Sequence, residues 1–281
     1  MRRVEFIKRL IVISRPVFWP AIVAVYWFGV FESKSHWGWS TFIGLVFVTF
    51  PMGVIICALN DLYDQESDAM NQRKGEYEGA VVTSKETVPL IWAVIVNSLL
   101  FISIFALSGH YVAALLTLGV AAFAYTYSVK PIRLKTRPVF DSISNGIWMN
   151  LVYILGFTIN YTGFSLRLPP LHTLGIVLFC ASAIHALGAA ADYEIDKKIG
   201  DKTIAQYIGL KPTIILSAIA YITCFFLVSS TDIPVRVYFA LSSLLILFMW
   251  LRPRHMVILR LLEVIVVGVP LPALYLLAAK L

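Results

Sequence analysis

The sequence predicts an all-α, polytopic membrane protein with nine transmembrane helices in one domain spanning residues 1–281. Two observations carry that prediction. First, 59% of the 281 residues are apolar, only 14% are charged, and the mean hydropathy is +0.81. A soluble domain carries roughly 25% charged residues, so too little polar surface exists here to cover a water-soluble globule. Second, the cations fall in short loops between apolar runs rather than in blocks, which excludes a nucleic-acid-binding reading of the +7 net charge.

The apolar runs fall near 16–31, 41–59, 88–108, 111–127, 143–159, 171–191, 212–230, 234–250 and 256–278. Helices are expected because every backbone polar group in lipid must be satisfied internally. The basic start, MRRVEFIKRL, is followed by no small-residue cleavage site and reads as the approach to the first span, not as a cleavable leader. Ser108-Gly109-His110 marks a tight turn between two spans, and Arg252-Pro253-Arg254 marks another break. The three cysteines, Cys57, Cys180 and Cys224, lie inside apolar runs with no zinc or disulfide spacing.

With nine spans, all but Lys34, Arg167, Arg236 and Lys280 of the 23 cations fall on one side. The bias of Lys and Arg toward cytoplasmic loops then places the N-terminus in the cytoplasm and the C-terminus outside, in a multi-pass cell-membrane protein. An even number of spans would break the alternation. The longest polar loops, about 60–87 and 192–211, both fall on the cytoplasmic side.

Those two loops open with carboxylates. The second span runs into Asn60-Asp61-Leu62-Tyr63-Asp64-Gln65-Glu66-Ser67-Asp68. If the helix continues, Asp61, Asp64 and Asp68 share one face over about 10 Å of axis. The sixth span runs into Asp192 and Asp196, spaced i, i+4, followed by Gly200, expected to break the helix, and Asp201 beyond it. A lone D-x-x-D at a helix end is ordinarily a solvated cap. Two such sets on one side of a chain this poor in charge point instead to a bound cation. Carboxylate oxygens suit Mg2+, which is usually held by one or two carboxylates plus substrate phosphates. Asp61, Asp64, Asp68, Asp192 and Asp196 are therefore the expected metal ligands, with Asp61, Asp64, Asp192 and Asp196 as the catalytic set. Glu66 and Glu194 are expected off the metal face. Arg73, Lys130 and Arg15 are the cations placed to meet phosphate, although most of the basic run that holds Lys130, Arg133 and Lys135 is accounted for by membrane orientation.

The pattern resembles the UbiA superfamily of intramembrane prenyltransferases. An N-D-x-x-D-x-x-x-D signature stands at Asn60, Asp61, Asp64 and Asp68, a D-x-x-x-D-x-x-x-G signature at Asp192, Asp196 and Gly200, and a Y-x-x-K element at Tyr127 and Lys130. The resemblance covers essentially the whole chain. It implies a UbiA-like helical bundle with a lateral opening to lipid. It also implies Mg2+ and an isoprenoid diphosphate held by the Asp motifs, ionisation of the allylic C–O bond, and capture of the carbocation by a lipophilic acceptor. Asn60, Arg73, Tyr127, Lys130, Asn145 and Arg15 are the expected substrate-binding residues.

One departure bears on the acceptor. Many quinone, chlorophyll and haem members continue the first motif with an R-P-I-P-S-G-like stretch, whereas this chain reads Asn71-Gln72-Arg73-Lys74-Gly75-Glu76. With the run Arg137 to Asn145, that continuation is closer to the carotenoid-modifying branch, the lycopene elongases, which implies dimethylallyl transfer to lycopene in C50 carotenoid biosynthesis. The alternative is an aromatic or chlorin acceptor. A secondary transporter is a distant alternative, because transport sites are expected near the bilayer midplane. The aromatic residues Tyr63, Tyr127, Trp148, Tyr153 and Tyr193 are expected near the reacting end. Asp141 and His185 are candidates for quenching the product cation, and Glu263 is an intramembrane charge with no assigned role. Gly146, Gly156 and Gly188 are expected to leave room for a long polyene.

Overall fold

The computed structural model describes residues 3–65, 68, 79–165 and 167–271, and within them the chain is helical with no strand. Its contacts cluster into two compact units, Met1–Arg133 with Leu151–Leu168, and Leu134–Asn150 with Pro169–Leu281.

The first unit begins with α1 (Arg3–Ile13), a 3-10 turn (Pro16–Phe18) and α2 (Trp19–Glu32), bent by 45°. The bend falls at Arg15, which adopts the left-handed conformation (φ 54) just before Pro16. Next come α3 (Trp39–Phe47) and α4 (Phe50–Tyr63), which together make one 25-residue apolar stretch. The interruption precedes Pro51, which has no N–H to give to a preceding turn. α5 (Thr87–Leu107) and α6 (Tyr111–Ser128) follow as an antiparallel pair. The expected tight turn between them is a Schellman motif: Gly109 is left-handed (φ 79), its N–H reaches Ala106 O (3.1 Å), and the His110 N–H reaches Phe105 O (2.8 Å).

α2 crosses the C-terminal half of α7 (Phe140–Thr158) at two glycines. A methyl group on Gly29 would collide with the backbone oxygen of Tyr153, and one on Gly156 with that of Tyr26. Gly156 therefore sets a close helix contact, not the open room expected of it. Gly146 likewise backs onto Leu178 O and Ser182 Oγ inside the second unit, whereas Gly188 faces open space.

The second unit contains the start of α7, then α8 (Leu171–Ala191), α9 (Tyr193–Ile199), α10 (Ile204–Ile208), α11 (Leu210–Leu227), α12 (Ile233–Leu251) and α13 (His255–Gly268). Its core gathers Leu187, Ile214, Tyr221, Cys224, Ile246 and Met249, all with no exposed surface.

The outer surface is apolar. Trp92, Leu99, Leu115, Ile219, Phe226 and Leu244 are all exposed. Such a surface is costly in water and suited to hydrocarbon. Six helices in the described residues are long and apolar enough to cross a membrane, or seven if the bent α1–α2 pair is one span. α7, with Asp141, Asn145 and Asn150, and α13, with 14 residues, fall outside that set.

Candidate active site

The first Asp motif sits where α4 ends. Asp61 lies in the last turn, fully buried, and its Oδ1 accepts a hydrogen bond from Arg15 Nη2 at 2.7 Å. The helix stops at Tyr63. Asp64 leaves helical geometry (φ −113, ψ 12), and its carbonyl then receives the Asp68 N–H at 2.8 Å. The three carboxylates therefore do not ride one unbroken helix face as the spacing predicts. The helix breaks at the middle one. Asp64 Oδ1 meets Arg133 Nη2 at 3.3 Å, from the segment after α6. Asp68 is buried.

Of the other residues expected in this half, Asn60 is half-buried and Lys130 is exposed. Tyr127 is buried and stacks on Phe123 at 5.3 Å between ring centroids. Arg73, Lys74, Gly75 and Glu66 lie outside the described residues.

The second motif turns at the junction of α8 and α9. Asp192 is the hinge residue, and its carbonyl accepts the N–H of Asp196 at 2.9 Å, so the two stay on one helical turn as expected. α9 closes on Gly200, left-handed at φ 79, and the N–H groups of Gly200 and Asp201 both return to Asp196 O, at 2.9 and 3.0 Å. Thr203 Oγ1 donates to Asp196 Oδ2 at 3.1 Å. Burial, followed by the charge of Asp192, pushes the Asp196 carboxyl up to about 7. Glu194 is exposed.

Asn145 is tied within α7: its Nδ2 donates to Asp141 O at 2.8 Å and its Oδ1 accepts from Trp148 Nε1 at 3.0 Å. Asp141 is buried and accepts the Ile204 N–H at 3.0 Å. His185 is half-buried in α8, and Glu263 is exposed on α13.

Arg133 and Thr203 are the polar partners that sequence reasoning did not single out. Arg133 lies in a basic run with no internal mark to separate it from its neighbours, and Thr203 belongs to no motif. Among the described residues no three His, Cys, Asp or Glu side chains converge as a ready-made metal cage. The chemistry of the donors nevertheless fits Mg2+. They are all hard carboxylate oxygens, and one or two per ion suffice when phosphate completes the shell. At the second motif burial first, and then the charge of Asp192, raise the proton affinity of Asp196, and a nearby cation would oppose both.

Apolar outer surface and long helices define the class, a helical integral membrane protein with carboxylates at its helix ends. The chain belongs to the UbiA prenyltransferase family, whose model matches residues 17–261, a stretch that contains both Asp motifs. It is a UbiA-type prenyltransferase. Among curated relatives, the lycopene elongase/hydratase of Corynebacterium glutamicum is 31% identical over 233 residues, 82% of this chain and 79% of that protein. The lycopene elongase/hydratase of Haloarcula japonica is 29% identical over 217 residues, 71% of this chain and 67% of that protein. Among solved structures, a UbiA homologue from Archaeoglobus fulgidus bound to DMAPP and Mg2+ has a TM-score of 0.68 at 21% identity, covering 93% of this chain and 99% of the other. The apo UbiA homologue from Aeropyrum pernix K1 also reaches 0.68, at 15% identity, covering 95% and 98%. These two show that the fold is UbiA-like.

Proposed function

We propose that this enzyme transfers a dimethylallyl group from its diphosphate to lycopene, on the route to C50 carotenoids, with residues 1–281 acting as one catalytic domain. The observation that carries the reading is the match to lycopene elongase/hydratases from both an actinobacterium and a haloarchaeon, over most of the chain. The A. fulgidus homologue, bound to DMAPP and Mg2+, supports the donor and the metal.

Asp61, Asp64, Asp68, Asp192 and Asp196 hold the metal, and Asn60, Arg73, Tyr127, Lys130, Asn145 and Arg15 contact the donor. Bound by these carboxylates, Mg2+ supplies positive charge that neutralises the diphosphate as it departs. The allylic C–O bond breaks with its electron pair going to the diphosphate oxygen. The terminal double bond of the polyene then attacks the five-carbon cation and becomes a tertiary cation. Loss of a proton to a base, or addition of water, completes the reaction. Asp141 is less suited to that last step than its place in the sequence suggests, because its carboxylate is engaged by the Ile204 N–H.

We further propose nine spans, with the N-terminus and the Asp motifs in the cytoplasm and the C-terminus outside. α7 and α13 complete that count, and the one-sided distribution of Lys and Arg supports the orientation.

Expression in a lycopene-producing host tests the function. Pigments heavier than lycopene by five- and ten-carbon additions are expected with the wild-type protein and absent with Asp192→Ala. Unchanged lycopene with the wild type, together with a prenylated aromatic or chlorin product, would leave the family assignment standing and replace the acceptor.

A further inference from the structure

The second Asp motif is braced by four contacts, none of which is carried by a motif residue's own spacing. The peptide just before Asp192 is held where His255 Nδ1 meets Ala191 O at 2.6 Å. Inside α9, the Gln206 side chain donates to Tyr193 O. Past Gly200, Thr203 Oγ1 donates to Asp196 Oδ2 at 3.1 Å. One residue further on, the Ile204 N–H is taken by Asp141 Oδ2 at 3.0 Å.

Thr203 and Ile204 are adjacent, so the last two contacts act on one short segment. Asp141 is fully buried at the start of α7, and Thr203 is buried as well. Ser142 Oγ lies 3.4 Å from the same Asp141 oxygen. The Asp141 carboxylate thus fixes the backbone at 204, and the fixed backbone presents the Thr203 hydroxyl to one oxygen of Asp196. A hydroxyl that donates to one carboxylate oxygen leaves the other oriented to receive a cation. Groups that orient a metal ligand in this way commonly affect metal affinity by about 10- to 100-fold.

We propose that Thr203 and Asp141 are positioning residues, a hydrogen-bonded relay that holds Asp196 in metal-binding geometry. The proposal rests on the metal reading of Asp196 given above. Both act through Asp196 rather than on the substrate, so neither is catalytic.

Purified protein in detergent is titrated with Mn2+ alone, followed by electron paramagnetic resonance, beside KM measurements for the acceptor. Thr203→Val removes the hydroxyl at nearly constant shape and is expected to weaken Mn2+ binding about 10-fold. Thr203→Ser is expected to restore it. Both are expected to leave the acceptor KM and the melting temperature alike. Asp141→Asn keeps an acceptor oxygen for the Ile204 N–H and is expected to bind Mn2+ as the wild type does, whereas Asp141→Ala is not. Wild-type Mn2+ affinity in Thr203→Val overturns the proposal, as does a Thr203→Ser variant as weak as Thr203→Val. An Asp141→Asn variant that has lost Mn2+ affinity removes Asp141 from the relay, and it does so even if Asp141→Ala fails to fold. Unchanged Mn2+ binding in Asp196→Ala overturns the metal reading itself, and the relay with it.

Discussion

Arg15 Nη2 stands 2.7 Å from Asp61 Oδ1, and the Asp61 side chain is completely buried while that of Arg15 is one-fifth exposed. Burying a charge is costly unless it is paired and hydrogen-bonded. Breaking a buried pair by removing one member typically costs about 3–5 kcal/mol, while removing both is far less harmful. Arg15→Ala is therefore expected to destabilise the protein by about 3 kcal/mol, the low end of that range because Arg15 retains some solvent contact. The double variant Arg15→Ala/Asp61→Asn is expected to recover much of the loss. Unfolding of the single and double variants in detergent measures the coupling, and additive losses would show that the pair is not energetically linked.

Loss of a metal ligand is expected to act on turnover beyond any effect on folding. Asp61→Ala and Asp192→Ala should each lower diphosphate release by about 100-fold or more, since charge neutralisation at the leaving group is worth several kcal/mol. Asp192→Ala should insert and purify as stably as the wild type, whereas Asp61→Ala also strips Arg15 of its partner and should purify folded but less stable, by about 3 kcal/mol. Near-normal release by either one would remove that residue from the metal site.

Replacing Arg73 or Lys130 with Ala should raise the donor KM by about 10-fold, the scale of one hydrogen bond to a charged group. The acceptor KM should stay close to that of the wild type. Donor affinity unchanged in both variants would place them in membrane orientation instead, the role that the rest of their basic segments fills.

Two glycines offer a test of the helix packing. Gly29→Ala drives a methyl group into the backbone oxygen of Tyr153 and is expected to cost about 1–3 kcal/mol, the usual range for overpacking. Gly188→Ala meets nothing within 4 Å and replaces the poorer helix former, so it should be neutral or stabilising by up to about 1 kcal/mol. Melting temperatures of the two variants decide it, and equal stability would contradict the close α2–α7 crossing.

What the sequence made legible is local. Apolar runs, the Ser108-Gly109-His110 turn and the helix end at Gly200 follow from residue chemistry within a few positions, and each has its counterpart in the helices. The Asp motifs were visible because charge is rare in this chain. The partners of those motifs were not. Arg133 reaches Asp64 across 69 residues, and Ile204 reaches Asp141 across 63, distances at which spacing carries no information. The break at Asp64 was also hidden, because i, i+3, i+7 spacing suits an unbroken helix equally well. Gly29 and Gly156 show the same limit. A glycine in an apolar run reads alike whether it opens a groove or admits a neighbouring helix, and here the backbone of the partner decides.

The most direct test of the account is to supply the purified enzyme with lycopene, dimethylallyl diphosphate and Mg2+, and to weigh the products. Adducts heavier by one and by two five-carbon units are expected, with stoichiometric diphosphate release that stops when the metal is chelated. Lycopene recovered unchanged, while 4-hydroxybenzoate, a naphthoate or a chlorophyllide is prenylated under the same conditions, would contradict it.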